Sequence, residues 1–521
     1  MDTQPTDPTP SPADASPAPG GHERRLHPWS WLFVLLQQLR QFLVPLVVLV
    51  FVGGRAEDGY LLWSLVGVAA LVATAVWQYF TYRYRVDEDR LVVRDGLLER
   101  NVRQVPFARI HNVALHQTLL HRAFGVAEVR LESAAGTKPE AEMRVLPLAE
   151  AMALERLIRT RGAASATPGA GAGAHATDVA DADVGKARVL LALPFGELVR
   201  LGLASNRGMV VVAGAFALAW QALPDRTMAD LVREYAGQAV GYAGSLVHGA
   251  AARVLALAVL VVLALALLRL LSVLLALTQY HGFRLLLEGR RVTIERGLLT
   301  RLRTSVSRGR IQAWTLHEGL VHRLLGRRSL QVDTVGGAGE GSEQRALREL
   351  APIATPAACD ALVRDVLPGA GWPPVGWRRL HPRAWQRLAL PGVLLAAIVA
   401  AAACWRFGSV GLVALAWLPW SMFAARRHAG RAGYALDERL LAVRGGWWSR
   451  HWRFAEIDKI QALRLEQGPL DRAFGMATLW LDTAGAKPAS APLRLRFIAV
   501  AEARALHRRL AAKLARMPLR W

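Results

Sequence analysis

The chain, 521 residues long, is expected to be an α+β membrane protein with six transmembrane helices in three pairs, each pair followed by a cytosolic β-barrel or bent sheet closed by a C-terminal helix. Three observations predict this. One ungapped pattern recurs three times, a pair of apolar segments precedes each copy, and arginine crowds the copies while the short links inside the apolar pairs carry little charge. Repetition at a fixed register governs every other reading, because each copy then has to be one structural unit.

The copies run from Tyr84 to Thr160, from Tyr280 to Leu367 and from Arg431 to Leu510. Their centres read IHNVALHQTLLHRAFG from Ile110 to Gly125, IQAWTLHEGLVHRLLG from Ile311 to Gly326 and IQALRLEQGPLDRAFG from Ile460 to Gly475. A glycine stands fourteen positions before each opening isoleucine, at Gly96, Gly297 and Gly446. An acid and a hydroxyl residue follow each closing glycine at the same distance: Glu132-Ser133, Asp333-Thr334 and Asp482-Thr483.

Composition sets the class. Hydrophobic residues make up 53% of the chain and the mean hydropathy is +0.22. The net charge is +23, which fits a membrane surface better than nucleic acid in so apolar a chain. Two cysteines, Cys359 and Cys404, imply no disulfide framework. The expected organisation is a disordered tail rich in Pro, Ser, Thr and Asp (1–22), a transmembrane pair (23–80), a first domain (81–161), a flexible Ala/Gly linker (162–187), a second pair (188–279), a second domain (280–367), a third pair (368–430) and a third domain (431–521).

The apolar segments are Gln41–Val52 and Tyr60–Tyr79, Met209–Ala222 and Val254–Leu277, Leu388–Cys404 and Val410–Phe423. A span needs about 20 residues, so the shorter segments must recruit their flanks. Arg269, near the end of the fourth segment, is expected to snorkel to the headgroups. Arg-rich repeats and near-neutral links place the repeats and both termini in the cytosol.

Inside the first repeat, YRVDEDRLVVRDGLLERNVRQVPFARI reads as strand, turn at Asp87–Asp89, strand, turn at Gly96, strand; the third repeat follows the same plan. VAEVRLESAAG and MATLWLDTAG continue the alternation to a glycine turn. Each repeat closes on a helix; in the last, Val500, Ala503, Leu506, Leu510 and Leu514 form one apolar face.

VDEDRLVVRDGLL followed by VPFARIHNVALHQTLLHRAFGVAEVRLESAAG resembles the bacterial pleckstrin-homology-like domain of the YdbS/YdbT-type membrane proteins. The third repeat resembles it nearly as well; the second departs, with SVSRGRI in place of QVPFARI. The resemblance covers most of residues 23–512 and implies a PH-like barrel in each repeat, several such domains each following paired membrane helices, and a bacterial inner-membrane location. It implies no enzymatic activity and no cofactor or metal.

The candidate surface is RGGWWSRHWRF, where Trp447, Trp448 and Trp452 interleave with Arg450 and Arg453. Tryptophan favours the headgroup layer and arginine is drawn to anionic lipid. A core strand with its arginines outside is the plainer alternative. His116 and His317 share one repeat position, His121 and His322 another, where the third repeat has Glu466 and Asp471. Spacing by five does not suit a zinc site on one helix, so these are expected at polar turns or in hydrogen bonds. The acid–hydroxyl pairs lack any triad or nucleophile elbow and are expected to cap strand-end turns. The repeated Arg-Leu-His-Pro at 25–28 and 379–382 is expected to lead into an interfacial helix.

The expected function is a scaffold or binding module at the inner leaflet, linked to envelope integrity or resistance to membrane-active agents. Its expected partners are membrane lipids with anionic headgroups and a small one-domain relative. The alternatives are a transporter or channel, which needs broken helices or intramembrane polar partners, and a lipid-modifying enzyme, which needs clustered acids or histidines.

Overall fold

The computed structural model describes residues 24–25, 27–33, 81–87, 89–95, 101–133, 141–164, 187–222, 250–335, 346–484 and 492–516, with scattered positions among 35–77 and 230–241. The tail, most of the first apolar pair, Gly96 and most of the linker at 162–187 lie outside the described residues. Two compact units emerge, one of residues 1–113, 120–133 and 139–174, the other of residues 114–119, 134–138 and 175–521.

In the first unit β1 (Arg24–Arg25), β2 (Arg83–Val86), β3 (Arg90–Asp95) and β4 (Asn101–Pro106) form an antiparallel sheet in that order. Leu91, Val92 and Val93 of β3 are all buried, at 0%, 6% and 3% exposure, so both faces of this strand are covered. The central block is a strand, β5 (Ile110–Thr118), and then a one-turn helix, Leu119–Ala123. A hairpin of β6 (Val126–Ser133) and β7 (Ala141–Pro147) leads to helix α1 (Leu148–Ala164).

The second unit repeats this plan twice. It begins with β8 (Arg188–Ala192), α2 (Phe195–Ala204), α3 (Arg207–Ala222) and α4 (Ala250–Tyr280). Strands β9 (Arg284–Glu288), β10 (Arg291–Arg296) and β11 (Thr300–Ser307) follow. After them come β12 (Ile311–Glu318), β13 (Arg328–Thr334), β14 (Ala351–Ala354) and α5 (Pro356–Val366). The last repeat holds β15 (Arg378–Arg379), α6 (Ala384–Phe407), a 3-10 segment Gly408–Ala416 and α7 (Trp417–Arg431). It ends with β16 (Gly433–Leu436), β17 (Leu440–Gly445), β18 (Arg450–Glu456), β19 (Ile460–Glu466), β20 (Met476–Thr483), β21 (Leu493–Ala499) and α8 (Val500–Ala515).

Gly125, Gly326 and Gly475 turn the chain in the same way, at φ 64°, 62° and 69°. That left-handed backbone suits glycine and bears out the shared register. The buried Ala503, Leu506 and Leu510 bear out the apolar face of α8.

The sheets depart from a barrel closed within each repeat. Every repeat is two half-sheets, and the second half of one joins the first half of the next. Trp314–Glu318 of β12 pairs with Arg450–Phe454 of β18, which completes a seven-stranded sheet ordered β14-β13-β12-β18-β17-β16-β15. Ala114–Thr118, grouped with the second unit, pairs in the same manner with Thr300–Thr304 of β11. The cores follow the sheets: Leu440, Ala442 and Phe454 complete the core of the second repeat around Trp314, and Ala313 enters that of the third. Phe454 stacks between Trp314 at 6.0 Å and Trp372 at 4.0 Å.

The strands before the apolar pairs also belong to the sheets that follow them. β1 pairs with β2, β8 with β9 and β15 with β16. The Arg-Leu-His-Pro segments therefore begin in sheet edges; His27 and His381 then accept backbone N–H bonds from Trp29 and Arg383 at Nδ1, at the turn into the apolar stretch.

Among the described residues, Leu257–Tyr280 and Ala384–Arg431 are long and apolar enough to cross a membrane, and α2 with α3 makes a third candidate if that pair, bent by 53°, is one span. Ala384–Arg431 is folded back on itself. A Cβ on Gly392 would meet Ser421 Oγ at 2.1 Å, so only a glycine lets α6 lie this close to the Ser421 side chain of α7; a Cβ on Gly411 would meet the Cys404 nitrogen at 2.2 Å, where the 3-10 segment folds back on the end of α6. Ala389, Ala396 and Ala400 lie buried on the α6 arm.

Arg269 does not reach outward as the sequence suggests. It donates to the carbonyls of Ser205 (2.8 Å) and Leu203 (3.3 Å) and to Asn206 Oδ1 (3.0 Å), capping the break between α2 and α3. Those carbonyls lose their helical donors at the bend and have little water to turn to. α2 itself buries Leu198 and Leu201 in the core of the second repeat.

Candidate functional site: a basic cavity beside the last apolar helices

The sequence-predicted surface divides in two. Gly446, at φ 77°, makes the tight β17–β18 turn; a Cβ there would meet Ser449 O at 1.7 Å. The turn carries Trp447 and Trp448 at its tip. Trp447 packs edge-on against Trp420 (5.8 Å) and Phe423 (5.4 Å) of α7, and Trp448 is 54% exposed beside it. Four aromatic rings thus gather where the third domain meets the apolar hairpin.

The other three residues serve the shared sheet. Arg450 pairs with Glu318 at 3.2 Å. Arg453 is buried, bonding Asp333 at 2.7 Å and Thr315 Oγ1 at 2.9 Å. Trp452 lies between the guanidinium groups of Arg328 (4.5 Å) and Arg431 (5.3 Å). These partners come from the second repeat or from α7, so hairpin alternation alone could not reveal them. Asp333 is accordingly a buried counter-ion.

The histidines also have structural partners. His317 bonds Ser449 Oγ at 2.8 Å, His322 packs edge-on against His317, and His121 packs on Phe33 at 4.2 Å. Glu466 accepts from Trp480 Nε1; Asp471 accepts from the Gly468 N–H and pairs with Arg387 at 3.1 Å. Among the described residues no cluster of His, Cys, Asp and Glu has metal-site geometry.

Sequence reasoning missed a cavity of about 250 Å³ inside the third domain. Arg444, Arg453, Arg494, Arg496, His428 and His451 line it, with no acidic side chain among the described residues of the lining. Its apolar side includes Leu388 of α6 and Phe497 of β21, so the membrane-helix hairpin forms part of the wall. Phe497 has φ 56°, a rare conformation for a bulky residue, beside a β20–β21 register shift. Four consecutive residues of β21, Arg494 to Phe497, line the cavity.

Crowded positive charge shows in the titration of these groups. Burial holds the Arg496 guanidinium below its ordinary value, and Arg494 and Arg387 push it further. Burial and Arg379 do the same to Arg444. Burial lowers His451, and His428, His317 and Arg431 add to it. Each would gain from an anion in the cavity. A site with cations at one wall and aliphatic and aromatic groups at another suits an anionic group carrying an apolar tail. The signal available in sequence was Arg-x-Arg at 494–496, whose alternation puts both arginines on one face of the strand but does not say what that face meets.

Comparison with known proteins finds the same threefold repeat. The model described as "Bacterial PH domain" matches residues 33–162, 240–358 and 387–514, once per repeat. The UPF0699 transmembrane protein YdbT of Bacillus subtilis (strain 168) is 21% identical over 407 residues, covering 76% of this chain and 79% of the relative. No solved structure matches the chain. Each match takes in apolar sequence as well as the repeat after it, and together they span more than half of the chain, so it belongs to the bacterial PH domain family and is a transmembrane protein with three such domains.

Proposed function

We propose that the chain is an inner-membrane scaffold that holds three PH-like domains on the cytosolic face and binds anionic lipid headgroups in the cavity of the third. The observation that carries this reading is the lining of Arg444, Arg494, Arg496, His428 and His451, with Arg453 already paired to Asp333, in a cavity whose wall also includes α6 and α7. A headgroup phosphate would meet the arginines while its acyl chains continued along the apolar helices. The exposed Trp448 and the Trp447–Trp420–Phe423 cluster support contact with the headgroup layer at the same end of the domain. Six spans in three pairs, with both termini inside, remain part of the proposal, supported by the Arg-rich repeats. So does a role in envelope integrity, which follows from the location alone.

The test titrates the purified full chain in detergent with dihexanoyl phosphatidylglycerol and, separately, dihexanoyl phosphatidylcholine, followed by calorimetry. The anionic lipid should bind and the zwitterionic lipid should not. Binding should weaken with salt as screening shortens. Arg496→Gln should weaken it about fivefold, from roughly 1 kcal/mol per basic group near anionic lipid. Equal binding of the two lipids would refute the proposal.

A further inference from the structure

The two interrepeat seams are copies of one another. Leu115 faces Arg303 and His116 faces Leu302 in one; Leu316 faces Trp452 and His317 faces His451 in the other. In the aligned repeats these are the same positions. Each seam joins the β5-type edge of one repeat to the β4-type edge of the next. Three repeats supply three edges of each type, and two seams use two of each. Among the described residues, β4 ends the first sheet and β19 ends the last.

Carrying the register to these ends sets Leu465 opposite Val102, Glu466 opposite Asn101 and Arg464 opposite Arg103. Leu465 is 36% exposed, whereas its seam counterparts Leu115 and Leu316 are buried at 4% and 0%; Val102 is 51% exposed, whereas its counterparts Arg303 and Trp452 are half-buried. The buried Arg453–Asp333 pair has its counterparts in Arg103 and Asp482, both exposed, one at each end of the chain. Arg464 is held by Glu466 at 2.5 Å on its own strand, so it does not compete for Asp482. The ends therefore match in register, in apolar surface and in charge. An exposed sheet edge is a template for strand addition.

We infer that β4 of one copy adds antiparallel to β19 of a second copy, forming a head-to-tail third seam with Val102 against Leu465 and Arg103 against Asp482. Such a contact is heterologous, so it extends into a ring or a row of copies.

Disulfide trapping in reconstituted membranes tests this with the full chain in a Cys359→Ala, Cys404→Ala background. Val102→Cys and Leu465→Cys are made in separate, differently tagged chains; both sites are exposed, so the fold tolerates them. Oxidation of the mixture should give a dimer carrying both tags, at several times the yield of either variant alone. Arg103→Glu or Asp482→Arg should each lower that yield several-fold, and combining them across the seam should restore it. A chain carrying both cysteines should give a ladder of multimers. No mixed dimer, a double variant that closes only within one chain, or a yield indifferent to the charge changes would each overturn the inference.

Discussion

At the scale of residues, polar pairs tie distant segments together. Tyr84 donates to Glu150 at 3.2 Å and Tyr434 to Glu502, which links the opening strand of a repeat to the first turn of its closing helix. The second repeat has Leu285 at that strand position; there Tyr280, at the end of α4, takes Glu349. Tyr434→Phe should cost roughly 1.5–3 kcal/mol, the range for a hydrogen bond to a charged group, read as a lower unfolding midpoint of the full chain. The Arg453–Asp333 pair is more deeply buried. Arg453→Met should destabilise the chain by less than the about 3–5 kcal/mol of a fully broken buried pair, because Arg348 still lies 3.7 Å from Asp333, and adding Asp333→Leu should recover part of the loss. Identity and spacing made the three acid–hydroxyl positions legible in the sequence. The role of Asp333 was not, because its partner lies 120 residues onward in another repeat.

At the scale of elements, the β12–β18 seam concentrates histidine. His317 and His451 are direct cross-strand neighbours, and His322 packs on His317. Burial lowers all three below the ordinary value. The unfolded chain therefore takes up protons first, near pH 6.5, and stability falls as the pH drops below that point. Glu128 acts in the opposite sense. Burial and Glu142 push it up to about 7, so the folded first repeat gains stability as acidification protonates it. The informative measurement is thus the pH dependence of melting in His317→Gln/His451→Gln against the parent between pH 7.5 and 5.5. The variant should lose less stability on acidification; an equal loss would remove these histidines from the account. Strand and helix positions were readable because period-two and period-3.6 patterns report which side of an element is buried. Pairing between repeats was not, because neither pattern says which edge lies next to which.

At the scale of the whole molecule, shared sheets make the domains interdependent. A fragment beginning at residue 431 would hold β18 without β12 and strip Trp314 and Trp372 from Phe454, so the proposed lipid binding has to be tested on the full chain. Topology is tested there as well. A reporter at Glu57 should behave as external and one after Trp521 as cytosolic; external labelling of the C-terminus would reverse the orientation. The sequence by itself determined the threefold repeat, the apolar segments, the turn glycines and the PH-like class, because each is written in local spacing and hydropathy. Only the tertiary structure decided that sheets run between repeats, that Arg450 and Arg453 face the seam, that Arg269 caps a broken helix and that Arg494 and Arg496 line a cavity. Those outcomes depend on contacts between residues far apart in the chain, where register and the order of half-sheets determine each side chain's surroundings.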